Sequence, residues 1–159
     1  ERGIAKYRAK DFQSALLDFN KGISLGAENS MTYVFRANLK FDSGDNDGAM
    51  IDYNKALDLN PKKAKAYLMR GIFKGRLGDD QAAVEDFNKA LEIDPNSASA
   101  YFHRGNAKFG IKEDQSGCHD IEKAISIDNS FYSEGIEKAC QVFTEQQKLE
   151  GIYADFDFK

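Results

Sequence analysis

The stretch AYLMRGIFKGRLGDDQAAVEDFNKALEIDPN, residues 66–96, decides the fold. Its apolar spacing predicts one helix over 66–77 and a second over 81–93, with Gly78, Asp79 and Asp80 turning the chain between them. Pro95 closes the unit, because proline cannot continue a helix and biases Asp94 away from helical angles. Stepping 34 residues in either direction finds the same hairpin again. Phe19, Tyr53, Phe87 and Ile121 stand 34 apart, and so do Arg2, Arg36, Arg70 and Arg104. A fixed period of that length implies a stacked array, in which each hairpin buries its apolar face against its neighbours. The expected fold class is therefore all-α, an α-solenoid of antiparallel helix hairpins.

Other positions keep the same period. Ala15, Ala49, Ala83 and Gly117 lie in the second helices, and Gly3, Ala37, Gly71 and Gly105 in the first. Side chains this small let paired helix axes approach closely, so they mark the seam of each hairpin. Gly22, Ala56, Ala90 and Ala124 follow seven residues on. An acid recurs just before each second helix, at Asp11, Asp45, Asp79 and Glu113, where a carboxylate can cap free N–H groups.

The spacing Tyr67, Gly71, Ala83, Phe87, Ala90, Pro95 resembles the tetratricopeptide repeat. The preceding unit is similar through Tyr33, Ala37, Ala49, Tyr53, Ala56 and Pro61, and the following one through Tyr101, Gly105, Gly117, Ile121 and Ala124, with Asn129 in place of proline. The first unit joins at Gly3, Ala15, Phe19 and Gly22. The resemblance covers about residues 1–131 and implies a right-handed superhelix. The expected organisation is one solenoid over 1–149, with repeats near 1–29, 30–63, 64–97 and 98–131, a capping helix over 132–149, and an extended tail over 150–159. The tail residues Ile152, Tyr153, Phe156 and Phe158 pack on the cap in the favoured reading and fill a neighbour's groove in the other.

Bulk properties bound the function. A 42% hydrophobic fraction suits a folded chain, and a formal net charge of −4 argues against a grip on nucleic-acid phosphates. No run approaches 18 apolar residues, so no membrane insertion is expected. The compartment stays open, with the cytoplasm slightly favoured. Two cysteines are too few for a disulfide framework. Cys118 falls at the register of Leu16, Met50 and Val84, so a small buried hydrophobe is the favoured reading, with a bridge to Cys140 the alternative.

Against the common family pattern, every first helix here carries an arginine followed four residues on by Lys6, Lys40, Lys74 or Lys108. An aspartate follows each arginine by sixteen residues, at Asp18, Asp52, Asp86 and Asp120. The expectation is a structural ladder of inter-helix bridges, Arg36 to Asp52, Arg70 to Asp86 and Arg104 to Asp120, with solvated surface charge as the alternative.

In the family the first helices line a concave groove. The resemblance places Ile4, Tyr7, Arg8, Met31, Val34, Asn38, Phe41, Asp42, Lys65, Leu68, Ile72, Arg76, Ser99, Phe102, Asn106 and Phe109 along it. The peptide-binding candidates are Tyr7, Val34, Asn38, Phe41, Lys65, Leu68, Ile72, Arg76, Phe102, Asn106 and Phe109. An apolar groove rimmed by charge marks an interaction site, and amides such as Asn38 and Asn106 can both donate to and accept from a peptide backbone. The carboxylate clamp of the chaperone-binding subclass maps onto Val34, Met69, Ser99 and His103, with only Asn38 matching, so that clamp is not expected.

No catalytic constellation is visible. His103 and His119 lack partners at ligand spacing, and the run Ser43 to Gly48 fails as a calcium loop because Asn54 stands where a bidentate glutamate is required. No cofactor or metal is expected. The function expected is non-catalytic: a scaffold binding a peptide or helix of another protein. The alternatives are the interaction domain of a larger enzyme or secretion component, since the pattern is already under way at Glu1, and a self-assembly module joined through repeat edges or the C-terminal tail.

Overall fold

The computed structural model describes residues 2–26, 28–135, 138, 140 and 141. Eight α-helices run in order over residues 2–127: α1 (Arg2–Arg8), α2 (Phe12–Ser24), α3 (Ser30–Asp42), α4 (Asn46–Leu59), α5 (Ala64–Arg76), α6 (Asp80–Ile93), α7 (Ala98–Gly110) and α8 (Asp114–Ile127). A 3₁₀ turn (Asn129–Phe131) follows, and no strand occurs among the described residues. The chain is an all-α helical repeat solenoid. Consecutive helices pack as hairpins, each second helix touches the next first helix, and α3, α5 and α7 lie side by side along one face.

Small residues set the hairpin spacing. A Cβ added to Gly71 would fall 2.6 Å from the Phe87 ring, and one on Gly105 would fall 2.6 Å from Ile121 and 2.7 Å from the Gly117 carbonyl oxygen. The close approach buries Tyr53, Phe87 and Ile121 almost completely. Each such side chain stabilises the array by about 2 kcal/mol.

The turns within hairpins share one conformation. Lys10, Gly44, Gly78 and Lys112 occupy the same register, with φ of 62°, 86°, 83° and 64°. Glycine takes this left-handed conformation freely, whereas lysine is strained in it. The next residue caps the following helix. Asp11, Asp45 and Asp79 accept from the backbone N–H of Ser14, Gly48 and Ala82 at 3.2, 2.9 and 3.2 Å. Glu113 makes no such bond, and its longer side chain is a poorer fit to the cap.

Cys118 is buried, as its register requires, but it is not a free hydrophobe. It is bonded to Cys140 across 22 residues, with Cα atoms 5.5 Å apart. Cys140 stands 34 residues after Asn106, so the chain beyond α8 places it where a next first helix would pack. Of the expected capping helix over 132–149, Glu134, Gly135, Lys138, Cys140 and Gln141 are helical, whereas Tyr132 and Ser133 are not. The other residues of that helix and the expected tail over 150–159 lie outside the described residues.

Candidate functional site

The periodic charges occupy the inner junctions of the solenoid. In each of the last three hairpins the arginine donates two parallel bonds to its aspartate. Nε and Nη2 reach the two carboxylate oxygens at 2.7 and 2.6 Å for Arg36 and Asp52, at 2.8 and 2.6 Å for Arg70 and Asp86, and at 2.7 and 2.6 Å for Arg104 and Asp120. Arg2 and Asp18 repeat the arrangement at 3.0 and 2.7 Å. The lysine completes each group, with Lys6, Lys40, Lys74 and Lys108 at 2.8, 3.0, 2.9 and 2.7 Å from the same aspartates. Each aspartate therefore serves two cations. Asp52, Asp86 and Asp120 are buried, while the arginines and lysines above them stay partly exposed.

A third partner extends this network between hairpins. The Nη1 groups of Arg36, Arg70 and Arg104 donate to Asn20, Asn54 and Asn88 of the preceding second helix, at 3.0, 2.7 and 2.8 Å. Those asparagines also keep the 34-residue period, a signal that the charge pattern alone passes over. Each of these arginines also lies over a tyrosine ring, Tyr33, Tyr67 or Tyr101, at 5.2 to 5.7 Å from its centre. Two carboxyls show the effect on titration. Hydrogen bonds from Arg2 and Lys6 hold Asp18 well below the ordinary carboxylate range. For Asp120 burial pushes upward most strongly, but the bonds and charges of Arg104 and Lys108 together outweigh it and hold the carboxyl low.

The first-helix face bears a cleft of about 340 Å³. Tyr7 of α1, Asn38, Phe41 and Asp42 of α3, Tyr53 of α4, Met69, Ile72, Phe73 and Arg76 of α5, and His103 of α7 line it. Phe41 meets the buried Phe73 edge-on at 5.1 Å, and the Arg76 guanidinium lies 5.7 Å above the Phe41 ring. Asn38 stands at the centre. Its Oδ1 accepts a short bond from the Tyr53 hydroxyl, while Nδ2 reaches only the Tyr7 hydroxyl at 3.5 Å and the Met69 sulfur at 3.8 Å. Such long contacts leave the amide with donor capacity toward the cleft. Burial pushes the Tyr53 hydroxyl upward, so it stays protonated and donating. His103 is pushed downward, by burial first and then by Arg76 and Lys65, and so favours the neutral form.

Of the residues expected along the groove, Tyr7, Asn38, Phe41, Asp42, Ile72 and Arg76 come together in this cleft. Lys65 and Asn106 are exposed on α5 and α7. Val34 and Leu68 are corrections: at 1% and 4% exposure both belong to the packed interior. Their helices rotate that register into the interface with the second helices. Phe102 packs against Phe131 at 4.9 Å and His103 at 5.6 Å, because the 3₁₀ turn after α8 folds Phe131 onto it. The Phe109 ring is directed at α8, where it lies 2.8 Å from the place a Gly117 Cβ would occupy. Residues outside the candidate set also contribute: Tyr53 and Phe73 reach the cleft from beneath, and Met69 and His103 from its sides.

Hairpins stacked so that their first helices share one face, with a cleft that sets Phe41, Ile72 and Phe73 beside the polar groups of Asn38, Asp42, Tyr53, Arg76 and His103, define a helical-repeat protein with a surface groove. Residues 37–78 and 75–111 match the TPR repeat family, and this part of the chain is built of tetratricopeptide repeats. No curated protein sequence matches the chain. Among solved structures it is similar to the crystal structure of MamA, with 23% identity, 94% of this chain and 86% of the other covered, and a TM-score of 0.78. It is similar to the first TPR of Spaghetti (RPAP3) bound to the HSP90 peptide SRMEEVD, at 20% identity, 76% and 94% coverage and a TM-score of 0.67. The Arabidopsis OM64 TPR domain is similar at 22% identity, 74% and 95% coverage and a TM-score of 0.64. These likenesses show a shared fold. No helix among the described residues is long and apolar enough to cross a membrane.

Proposed function

We propose that the chain is a non-catalytic scaffold that holds a peptide or helical segment of another protein along its first-helix face. The cleft around Asn38 carries this reading. It combines an apolar floor of Phe41, Ile72 and Phe73 with an amide whose donors are weakly engaged and an Arg76 that forms no ion pair among the described residues, the combination that orients a polypeptide while burying its side chains. The ladder supports the same reading from the other side. Its arginines are already neutralised by aspartates, so they are not the ligand's anchor. The related RPAP3 domain, solved with a peptide, lends the fold a precedent for such binding. The Cys118–Cys140 disulfide fits an oxidising compartment better than the reducing cytoplasm.

The test is co-purification from native lysate with three forms of the chain, each checked for helicity by circular dichroism. Ile72→Glu puts a charge on the cleft floor. Leu17→Glu with Ile51→Glu changes exposed second-helix positions, 69% and 66% accessible. The expected result is a partner lost with Ile72→Glu and kept with the second-helix pair. A partner kept by folded Ile72→Glu refutes the cleft as the binding site.

A further inference from the structure

The basic residues of the ladder are paired, which singles out the charges that are not. Arg8, Asp42 and Arg76 are the final residues of α1, α3 and α5, all at one register, and none forms an ion pair among the described residues. All three are exposed, and Asp42 and Arg76 flank the cleft. Arg8 and Arg76 suit the negative end of a helix dipole, but Asp42 opposes it. An acid placed against its own helix, with no cation in contact, breaks a local rule without a compensating bond, as recognition sites do. The fourth hairpin carries neutral Gly110 at this register. Alternating charge therefore runs along three neighbouring helices, and at the fourth the Asp80 carboxylate packs against Gly110, which has no side chain of its own.

Spacing turns that stripe into a ligand pattern. Packed helices stand about 8–10 Å apart, and a polyproline II chain advances about 3.1 Å per residue and returns every third side chain to the same face, so roughly three ligand residues span one hairpin. We propose that the groove selects an extended peptide with an acid, a base and an acid at three-residue intervals, its charges opposite Arg8, Asp42 and Arg76. This rests on the groove reading above and adds the ligand's charge code. The pattern reads the same in both chain directions, so it does not depend on peptide polarity. Of the two side chains between the base and the second acid, one lies a third of a turn round and enters the cleft over Phe41 and Ile72, and that residue is apolar.

The test is fluorescence anisotropy at low ionic strength on the intact chain, with labelled peptides ELSKLSE (matched), KLSELSK (reversed) and LSEKELS (same composition as the matched peptide, charges adjacent). The matched peptide is expected to bind at least about tenfold tighter than the reversed one, since attraction at three sites becomes repulsion. Exposed Asp42→Lys is expected to shift the preference from ELSKLSE to ELSELSE, a compensation that a folding defect cannot produce. Equal binding of matched and reversed peptides, a preference for LSEKELS, or a preference unmoved by Asp42→Lys overturns the charge code. If Ile72→Glu abolishes binding in that case, the groove reading survives alone. Binding that persists undiminished in Ile72→Glu, or no binding by any peptide, overturns both.

Discussion

Asp86 is the common acceptor of two cations, and that makes its removal unlike the removal of either one. Arg70 holds it by two bonds of 2.8 and 2.6 Å, and Lys74 stands 2.9 Å away. The aspartate side chain is 4% exposed, against 19% and 15% for the cations. Asp86→Ala leaves two positive charges facing each other at a hairpin junction with no anion. Breaking a buried ion group in this way costs about 3–5 kcal/mol, and partial exposure of the cations favours the lower end, about 3. Arg70→Met leaves Asp86 still paired with Lys74 and also releases Asn54, at a cost of about 1–2 kcal/mol. Lys74→Met, which keeps the bidentate pair, costs about 1 kcal/mol or less. The double change Arg70→Met and Lys74→Met strands a buried carboxylate and should exceed the sum of the two singles. At this chain length about 3 kcal/mol corresponds to a fall of roughly 6–12 °C in melting temperature. Thermal and urea unfolding followed by circular dichroism read all four variants. Equal losses for Asp86→Ala and Arg70→Met would refute the shared-acceptor argument. Unchanged stability in both, or in Arg70→Leu, would show that the ladder is surface decoration.

Three further outcomes follow from the same geometry. Lys112→Gly relieves a lysine at φ 64° and should stabilise the fourth hairpin by about 0.5–1 kcal/mol in thermal unfolding, whereas Gly78→Ala at φ 83° should destabilise the third by at least as much. Asp120 has a folded-state carboxyl held below its unfolded value of about 3.9, so its stabilisation is complete above about pH 4 and is lost as the pH falls through the folded value; Asp120→Asn should lower stability at neutral pH and flatten the acid limb of a stability–pH curve. Replacing Cys118 and Cys140 with serine opens a 22-residue loop and should cost up to about 3 kcal/mol, seen as faster amide exchange in α8 with α5 and α6 little changed.

The internal repetition explains what could be read from the sequence. Four copies of one unit act as an alignment of the chain with itself, so hairpin boundaries, seam glycines and the arginine–aspartate spacing all stood out by recurrence. The remaining features depend on geometry finer than register. Val34 and Leu68 lie one helical step from groove positions, and a period of 34 does not say which side of a helix a register faces. Asn20, Asn54 and Asn88 recur as faithfully as the charges, yet an amide's partner depends on the orientation of a neighbouring guanidinium. Phe131 closes the last recognisable unit at a register that Asn29, Lys63 and Ser97 hold in the others, and Cys140 lies beyond it, so no second copy revealed that one would cover Phe102 and the other would meet Cys118.

Repetition also separates structure from recognition along a single helix. In α5, Arg70 and Lys74 have counterparts in every hairpin, and each is bound to an aspartate in the second helix. Arg76, two residues further on, has Arg8, Asp42 and Gly110 as its counterparts, with the same sign, the opposite sign and no charge in turn. A contact required by stacking must be built the same way at each junction, because the junctions are geometrically alike. A register that changes sign from one hairpin to the next contributes nothing uniform to stacking. Its variation along the array is what lets chemically similar surfaces present different charges to successive segments of one extended ligand. The uniform ladder makes that variation tolerable: with stability concentrated in Asp52, Asp86 and Asp120, the helix ends facing the cleft are free to differ.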